Sequence, residues 1–467
     1  MNLRAIATRL NSGSFELTEA LFLRLLGLTY LCAFGSLWPQ ILGLTGSQGV
    51  APAANLMTAM RAQLGARAFF YTPSLFWINA SDAALTFCCG LGCVCGMLLL
   101  AGLLSRWMVA VCFLLYLSIV TVGQPFTSFQ WDALLLEAGF LALFAGAPWL
   151  AWTYRLLLFR LMFESGFVKL ASGDPTWRNL HALRFHFMTQ PLPNPIAYYM
   201  YRAPNSLLDS LTAVTIAIEL LAPFLLFFPR RVRIAGVIAL MVLQVAILLT
   251  GNYAFFNLLA LALCLWGLDD ATFAPLARLL HRRFPSSNIP GSKAVLKGMH
   301  AGLAVIAILG VLELVGHAPA FVQPFEIVNS YGLFAMMTTS RPEIVIEGSE
   351  DSANWKEYSF RYKPGNLHRG LPLVAPYQPR LDWQMWFAAL GRYQGNSWVG
   401  SLMYRLLLGD GPVAALMDTP PFPKPPRYMR ALIYEYDFTT PAERGRSGAI
   451  WQRRLLGTWF GPVALKQ

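Results

Sequence analysis

The chain has 467 residues, of which 56% are hydrophobic and only 13% charged, and its mean hydropathy is +0.49. Soluble domains carry about a quarter charged residues, so this composition excludes an ordinary soluble protein and fits a chain threaded through a bilayer. The formal net charge is +12, yet the basic residues are scattered through short gaps between apolar runs. That distribution excludes a nucleic-acid footprint and makes them topology signals.

The expected architecture is a polytopic all-α membrane domain of eight or nine transmembrane helices followed by a C-terminal soluble α+β domain. Residues 1–19 are polar and read as a cytoplasmic N-terminus without a small-residue cleavage site, so the first span is expected to be retained. A helix needs about 20 apolar residues to cross a bilayer. Nine runs in the expected membrane domain, residues 20–316, approach that: Ala20 to Leu44, Ala83 to Leu104, Trp107 to Val122, Ala133 to Leu150, Tyr154 to Leu170, Leu207 to Phe228, Val232 to Leu249, Tyr253 to Leu268 and Leu296 to Val315. The fifth is interrupted by Arg155, Arg160, Glu164 and Lys169, and an interfacial or re-entrant helix fits it equally well. All seven cysteines, Cys32, Cys88, Cys89, Cys93, Cys95, Cys112 and Cys264, fall inside apolar runs, where Cys acts as a small hydrophobe. No disulfide framework and no metal site are expected.

With nine spans and a cytoplasmic N-terminus, Arg4, Arg9, Arg106, Arg155, Arg230, Arg231, Arg233, Arg278, Arg282, Arg283, Lys293 and Lys297 fall on the cytoplasmic side. Arg61, Arg67, Arg178, Arg184 and Arg202 fall opposite. The positive-inside rule supports this orientation and places residues 317–467 outside the cytoplasm. If the fifth run does not span, part of the assignment flips. In that last region, alternation at Glu343 to Glu347 and Tyr358 to Tyr362 reads as half-buried strands, Trp383 to Leu390 and Trp398 to Leu408 as helices, and Ala431 to Phe438 as a further strand.

Ionisable groups in membrane segments are costly, so each needs a partner or a wet cavity. Asp132, beside Gln130 and Trp131, either caps the fourth helix or is buried; Glu137 lies more than a turn deeper and is expected to pair with Arg24 or Lys169. Glu164 and Lys169 are five residues apart, about 140° around a helix, so each needs a partner elsewhere. Lys169 is either half of a buried ion pair, with Glu137 or Glu164 nearest in sequence, or a desolvated base. Trp177, His181 and His186 follow, and the two histidines have poor spacing for a metal. The segment Thr189-Gln190-Pro191-Leu192-Pro193-Asn194-Pro195 is stiff and extended.

Read together, several stretches resemble the lipase maturation factor family. They are Phe129-Gln130-Trp131-Asp132 with Leu135, Leu136 and Glu137, Arg160 to Lys169, Trp177 to Leu180, Thr189 to Pro195, Ile218-Glu219-Leu220 and Thr250-Gly251-Asn252-Tyr253. The series resumes at Val328-Asn329-Ser330-Tyr331-Gly332 and at Arg380 to Ala389, which holds Asp382, Trp383 and Trp386. The resemblance implies an assembly factor rather than a catalyst: vertebrate members sit in the endoplasmic reticulum membrane and help secreted lipases fold into active homodimers. The expected partners are therefore membrane lipid and a secreted, lipase-like client on the non-cytoplasmic side, with no nucleic acid and no cofactor. The expected location is a bacterial inner membrane, or the endoplasmic reticulum membrane in a eukaryote.

A second resemblance covers Phe163 to Trp177, which is similar to the horizontally transferred transmembrane domain of vitamin K-dependent γ-glutamyl carboxylase. It implies Lys169 as a base on a lipid-soluble substrate such as a quinone; Glu164 and Glu137, the acidic groups picked out above, are the candidate catalytic carboxylates to accompany it. A transporter would also suit buried charges but lacks an evident internal repeat.

Overall fold

The structure is a computed structural model that describes residues 14–273 and 293–465, without the side chains of 293–296. The topology signals Arg4, Arg9, Arg278, Arg282 and Arg283, and the side chain of Lys293, lie outside the described residues.

Among the described residues, six helices are long and apolar enough to cross a membrane: α1 (Glu16–Leu37), α2 (Asp82–Ala101), α3 (Ser105–Val122), α6 (Asn205–Leu225), α7 (Arg230–Thr250) and the Lys297–Leu314 part of α9 (Lys293–Leu314). Local chemistry sets their ends. Ser81 accepts a hydrogen bond from the Ala84 amide to open α2, and Gly102, with φ +77°, closes it in the left-handed conformation that glycine tolerates. Helices α1 and α2 pack closely because Gly27 meets the backbone of Gly96 and Leu100, where an added Cβ would lie 2.5 Å from the Leu100 amide nitrogen.

The other three expected spans are helices of a different kind. α4 (Gln130–Ala142) has 13 residues, because Gly146, with φ +84°, and Pro148 break the chain before α5 (Leu150–Ala171) begins. α8 (Phe256–Cys264) has nine residues and passes into a 3₁₀ turn. The doubtful fifth run is the unbroken 22-residue helix α5: α4, α6, α8 and α9 surround it, and Arg155, Arg160 and Lys169 are all buried.

The C-terminal part holds one antiparallel sheet in the order β2-β1-β3-β4, formed by β1 (Pro342–Ser349), β2 (Lys356–Tyr358), β3 (Tyr428–Phe438) and β4 (Trp451–Ala464). Ile344 pairs with Ile433, and Leu432 with Thr458. The expected strand at Tyr358 to Tyr362 is cut short at Tyr358; Phe360 makes only an isolated bridge to Met417. β1 is buried on both faces rather than half-buried, since α10 (Arg380–Ala389) lies against it. α11 (Trp398–Leu408) completes this part. One continuous apolar core runs from Phe22 and Tyr30 through Leu135 and Tyr331 to Ile344, Leu381 and Met429. The C-terminal part is therefore fused onto the helices rather than tethered to them.

Candidate functional site

Between α5, α6, α7 and the C-terminal part lies a cavity of about 960 Å³, within the ~300–1,000 Å³ typical of small-molecule sites. Eight of the residues picked out from the sequence line it: Gln130, Trp131, Lys169, Trp177, His186, Glu219, Trp383 and Trp386. They arrive from α4, α5, α6, α10 and the connection between α5 and α6, so the stretches carrying the resemblance meet in space.

Lys169 does not pair with Glu137 or Glu164. Its ammonium lies 2.8 Å from Glu219 Oε2 and donates to Glu219 Oε1 and the Ser165 carbonyl, both at 3.0 Å, with the Trp177 ring 5.2 Å away. Gly166 lets α6 come this close, since a Cβ there would lie 2.8 Å from the Glu219 Cβ. An ammonium holding a carboxylate with both oxygens is a structural ion pair, and this geometry gives no support to Lys169 as a free base.

His186 and Tyr253 form the neighbouring wall. The Tyr253 hydroxyl donates to Gln190 Oε1 at 2.9 Å and lies 3.0 Å from His186 Nε2. With its one proton committed, the hydroxyl accepts from Nε2–H, which leaves Nδ1 bare. Burial, and then the Lys169 charge, push the His186 pKa down to about 4, so the ring is neutral. The edge of Trp383 meets the Trp131 ring at 4.7 Å, and Trp386 Nε1 donates to the Thr189 carbonyl at 2.9 Å.

The remaining candidates stand outside the cavity. Asp132 is not a helix cap; Phe129 holds that position, and Asp132 instead meets Arg380 from 248 residues away, each of its oxygens accepting a guanidinium N–H at 2.9 Å. Tyr116 also donates to it, and Arg380 spends a further bond on the Phe126 carbonyl. Glu137 pairs with neither Arg24 nor Lys169: its Oε1 accepts from Arg160 at 2.6 Å, and its Oε2 from the Asn329 amide and the Tyr331 hydroxyl. Glu164 lies 3.5 Å from Arg160 and accepts from the Tyr331 amide, while Gln130 accepts from Gly332. The segment Val328 to Gly332 is thus seated on the buried charges of α4 and α5.

Asn252 uses its whole amide, donating to the Leu192 and Pro372 carbonyls and accepting from the Val374 and Ala375 amides. Asp382 accepts from the amides of Tyr362 and Lys363, and burial raises its pKa. His181 precedes the helix Ala182–Thr189 and does not line the cavity.

Sequence reasoning missed Arg380 as a partner, together with a buried triad in which Glu343 lies 2.9 Å from Arg341 and 2.8 Å from Lys363. Arg341 also donates to the Met188, Gln190 and Pro191 carbonyls. The signal was present in the stiff, proline-rich stretch, whose carbonyls need donors once buried. Among the described residues, no group of three or more His, Cys, Asp or Glu side chains is gathered to hold a metal.

Comparison with known proteins covers the same ground. The family model for the lipase maturation factor transmembrane domain matches residues 17–275, and that for the lipase maturation factor C-terminal domain matches residues 327–461. Lipase maturation factor 1 of Bos taurus is 32% identical over 99% of this chain and 92% of its own length. Lipase maturation factor 2 of Gallus gallus is 34% identical over 95% and 80%, and that of Homo sapiens 34% over 96% and 83%. No solved structure matches. The carboxylase resemblance of Phe163 to Trp177 gains nothing from these relatives. Two family models that follow one another along the chain, and relatives similar over nearly all of it, show that this integral membrane protein belongs to the lipase maturation factor family.

Proposed function

We propose that the protein is a membrane-embedded factor that brings secreted, lipase-type clients to their active form. The observation that carries this reading is the match through both family regions to relatives named for lipase maturation. The structure adds a physical reason for the length of that match. Buried ion pairs and hydrogen bonds stitch the C-terminal part to the helices, which supports reading the two regions as one cooperative unit.

In this reading residues 1–19 face the cytoplasm and residues 20–316 form the membrane part. The three shorter or charged helices α4, α5 and α8 lie within the bilayer among the six longer ones, giving nine in all, the odd number that this sidedness needs. Residues 317–467 face the non-cytoplasmic side, as the distribution of basic loops favours, and meet the client there. A bacterial inner membrane fits, with the endoplasmic reticulum membrane as its eukaryotic counterpart.

Two experiments test this. A lipase that needs maturation is expressed in cells lacking family members, with and without this chain, and its specific activity per molecule secreted is measured. A rise with the chain present supports the reading, and an unchanged value refutes it. A reporter active only in the cytoplasm, fused after Gln467, is expected to be silent; activity there overturns the sidedness.

A further inference from the structure

The mouth of the cavity carries an inference independent of the lipase reading. Helices α6 and α7 are joined by a short turn and are tightest near it: a Cβ on Gly236 would lie 2.7 Å from the Leu225 Cβ and 3.0 Å from the Ala222 carbonyl. Away from that turn the two helices contribute Leu211, Val214 and Thr215, and Val242, Ala246 and Thr250, to the cavity wall. Both are of membrane-crossing length. Val214 and Val242 are 51% and 59% exposed while also lining the cavity, so the cavity is continuous with the surface that lipid chains cover. Exposed residues of both helices that also line the cavity mark a side opening between α6 and α7.

The interior decides which molecule fits. Its walls are largely apolar and aromatic, which favours hydrocarbon over a volume of water with few partners. Among the described residues lining it, Lys169 is the only Lys or Arg and Glu219 the only carboxylate, and they neutralise one another. A ligand carboxylate or phosphate would have to draw Lys169 away from Glu219, and a ligand ammonium would have to do the reverse. An uncharged hydroxyl or ester needs neither: the bare Nδ1 of neutral His186 accepts, and Gln130 Nε2, whose amide oxygen alone is engaged, donates.

We propose that the cavity binds one glycerolipid with an uncharged head, admitted sideways between α6 and α7, its chains against the aromatic wall and its hydroxyl or ester oxygens toward His186 and Gln130.

The test uses the full chain purified in detergent, with dioleoylglycerol and oleate as probes, read by thermal melting and by native mass spectrometry. Dioleoylglycerol is expected to raise the melting temperature saturably, with one molecule retained per chain, and oleate to bind at least tenfold more weakly. Ala246→Phe and Thr215→Phe, which narrow the mouth, are expected to weaken dioleoylglycerol binding at least tenfold, whereas Ile238→Phe, on the outward face of α7, is expected to leave it unchanged. Absence of saturable binding, preference for oleate, or equal binding by the mouth variants and Ile238→Phe overturns the proposal. Should the mouth variants fail to fold, the wild type decides: tryptophan fluorescence quenched saturably by dibrominated dioleoylglycerol, and restored by the unbrominated lipid, supports the site, and its absence overturns it.

Discussion

Replacing Arg380 by Met tests the claim that the two parts of the chain are one cooperative unit. In the wild type the guanidinium and the Asp132 carboxylate are both fully buried and meet through two bonds of 2.9 Å, with Tyr116 and the Phe126 carbonyl completing the set. Met fills a comparable volume but leaves Asp132 charged, buried and served by the Tyr116 hydroxyl alone. Removing one partner of a buried ion pair costs about 3 to 5 kcal/mol, or roughly a hundred- to several-thousand-fold in the folding equilibrium at about 1.36 kcal/mol per tenfold. Replacing both charges removes the stranded group, so Asp132→Leu with Arg380→Met is expected to be destabilised by much less than the sum of the two single changes. The assay is reversible unfolding of the detergent-solubilised protein, with the accessibility of the C-terminal part to protease as a second probe. The two probes are expected to lose stability together. A single variant within about 0.5 kcal/mol of wild type, or a double variant equal to the sum of the singles, refutes the reasoning.

Lys169→Met is expected to destabilise by about 3 to 5 kcal/mol because it strands Glu219, and adding Glu219→Gln to recover much of the loss; a melt within a degree of wild type shows that the pair carries no such weight. His186 titrates in the native state near pH 4, below its ordinary value of 6.5, so its contribution is complete above about pH 6.5. It declines as pH falls toward 4, because the unfolded chain takes up the proton first; His186→Gln is expected to flatten that part of the stability profile, and an unaltered profile contradicts the assignment. Gly27→Val forces α1 away from the backbone of α2 at an overpacking cost of about 1 to 3 kcal/mol, and unchanged stability would show that the helices are not in contact there. All seven cysteines are free and none lies beyond Cys264, so the melting temperature is expected to be indifferent to reductant.

The features legible in the sequence are those written in a short window. Apolar runs long enough to cross a bilayer gave the positions of α1, α2, α3, α6 and α7, and β3 followed from its run of alternating residues. α4 and α8 were drawn too long because hydropathy sums over the breaks at Gly146 and Ala254, both with positive φ, where the backbone turns although the side chains remain apolar. β4 escaped notice for a related reason: Gly457 and Gly461, both with positive φ, accompany register shifts that destroy the two-residue alternation by which a strand is recognised.

The candidate site was legible as a set of residues and illegible as a set of pairs, and the two facts share a cause. A buried charge announces itself locally, because any ionisable group inside an apolar run is costly there; that is how Asp132, Glu137, Glu164 and Lys169 were found, whereas Glu219 entered with the family resemblance. What offsets the cost is settled by packing, and a helix directs neighbours five residues apart to different sides, so nearness in sequence misleads. Glu164 thus faces Arg160 and Tyr331, while Lys169, barely more than a turn later, faces Glu219 on another helix. Arg380 carried no local warning at all, since an arginine in a polar stretch costs nothing until folding carries it 248 residues back to Asp132. The cavity follows from the same arrangement. With each charge around it already matched by protein, the space enclosed has apolar walls and no net charge, the condition under which a membrane lipid rather than an ion can occupy it.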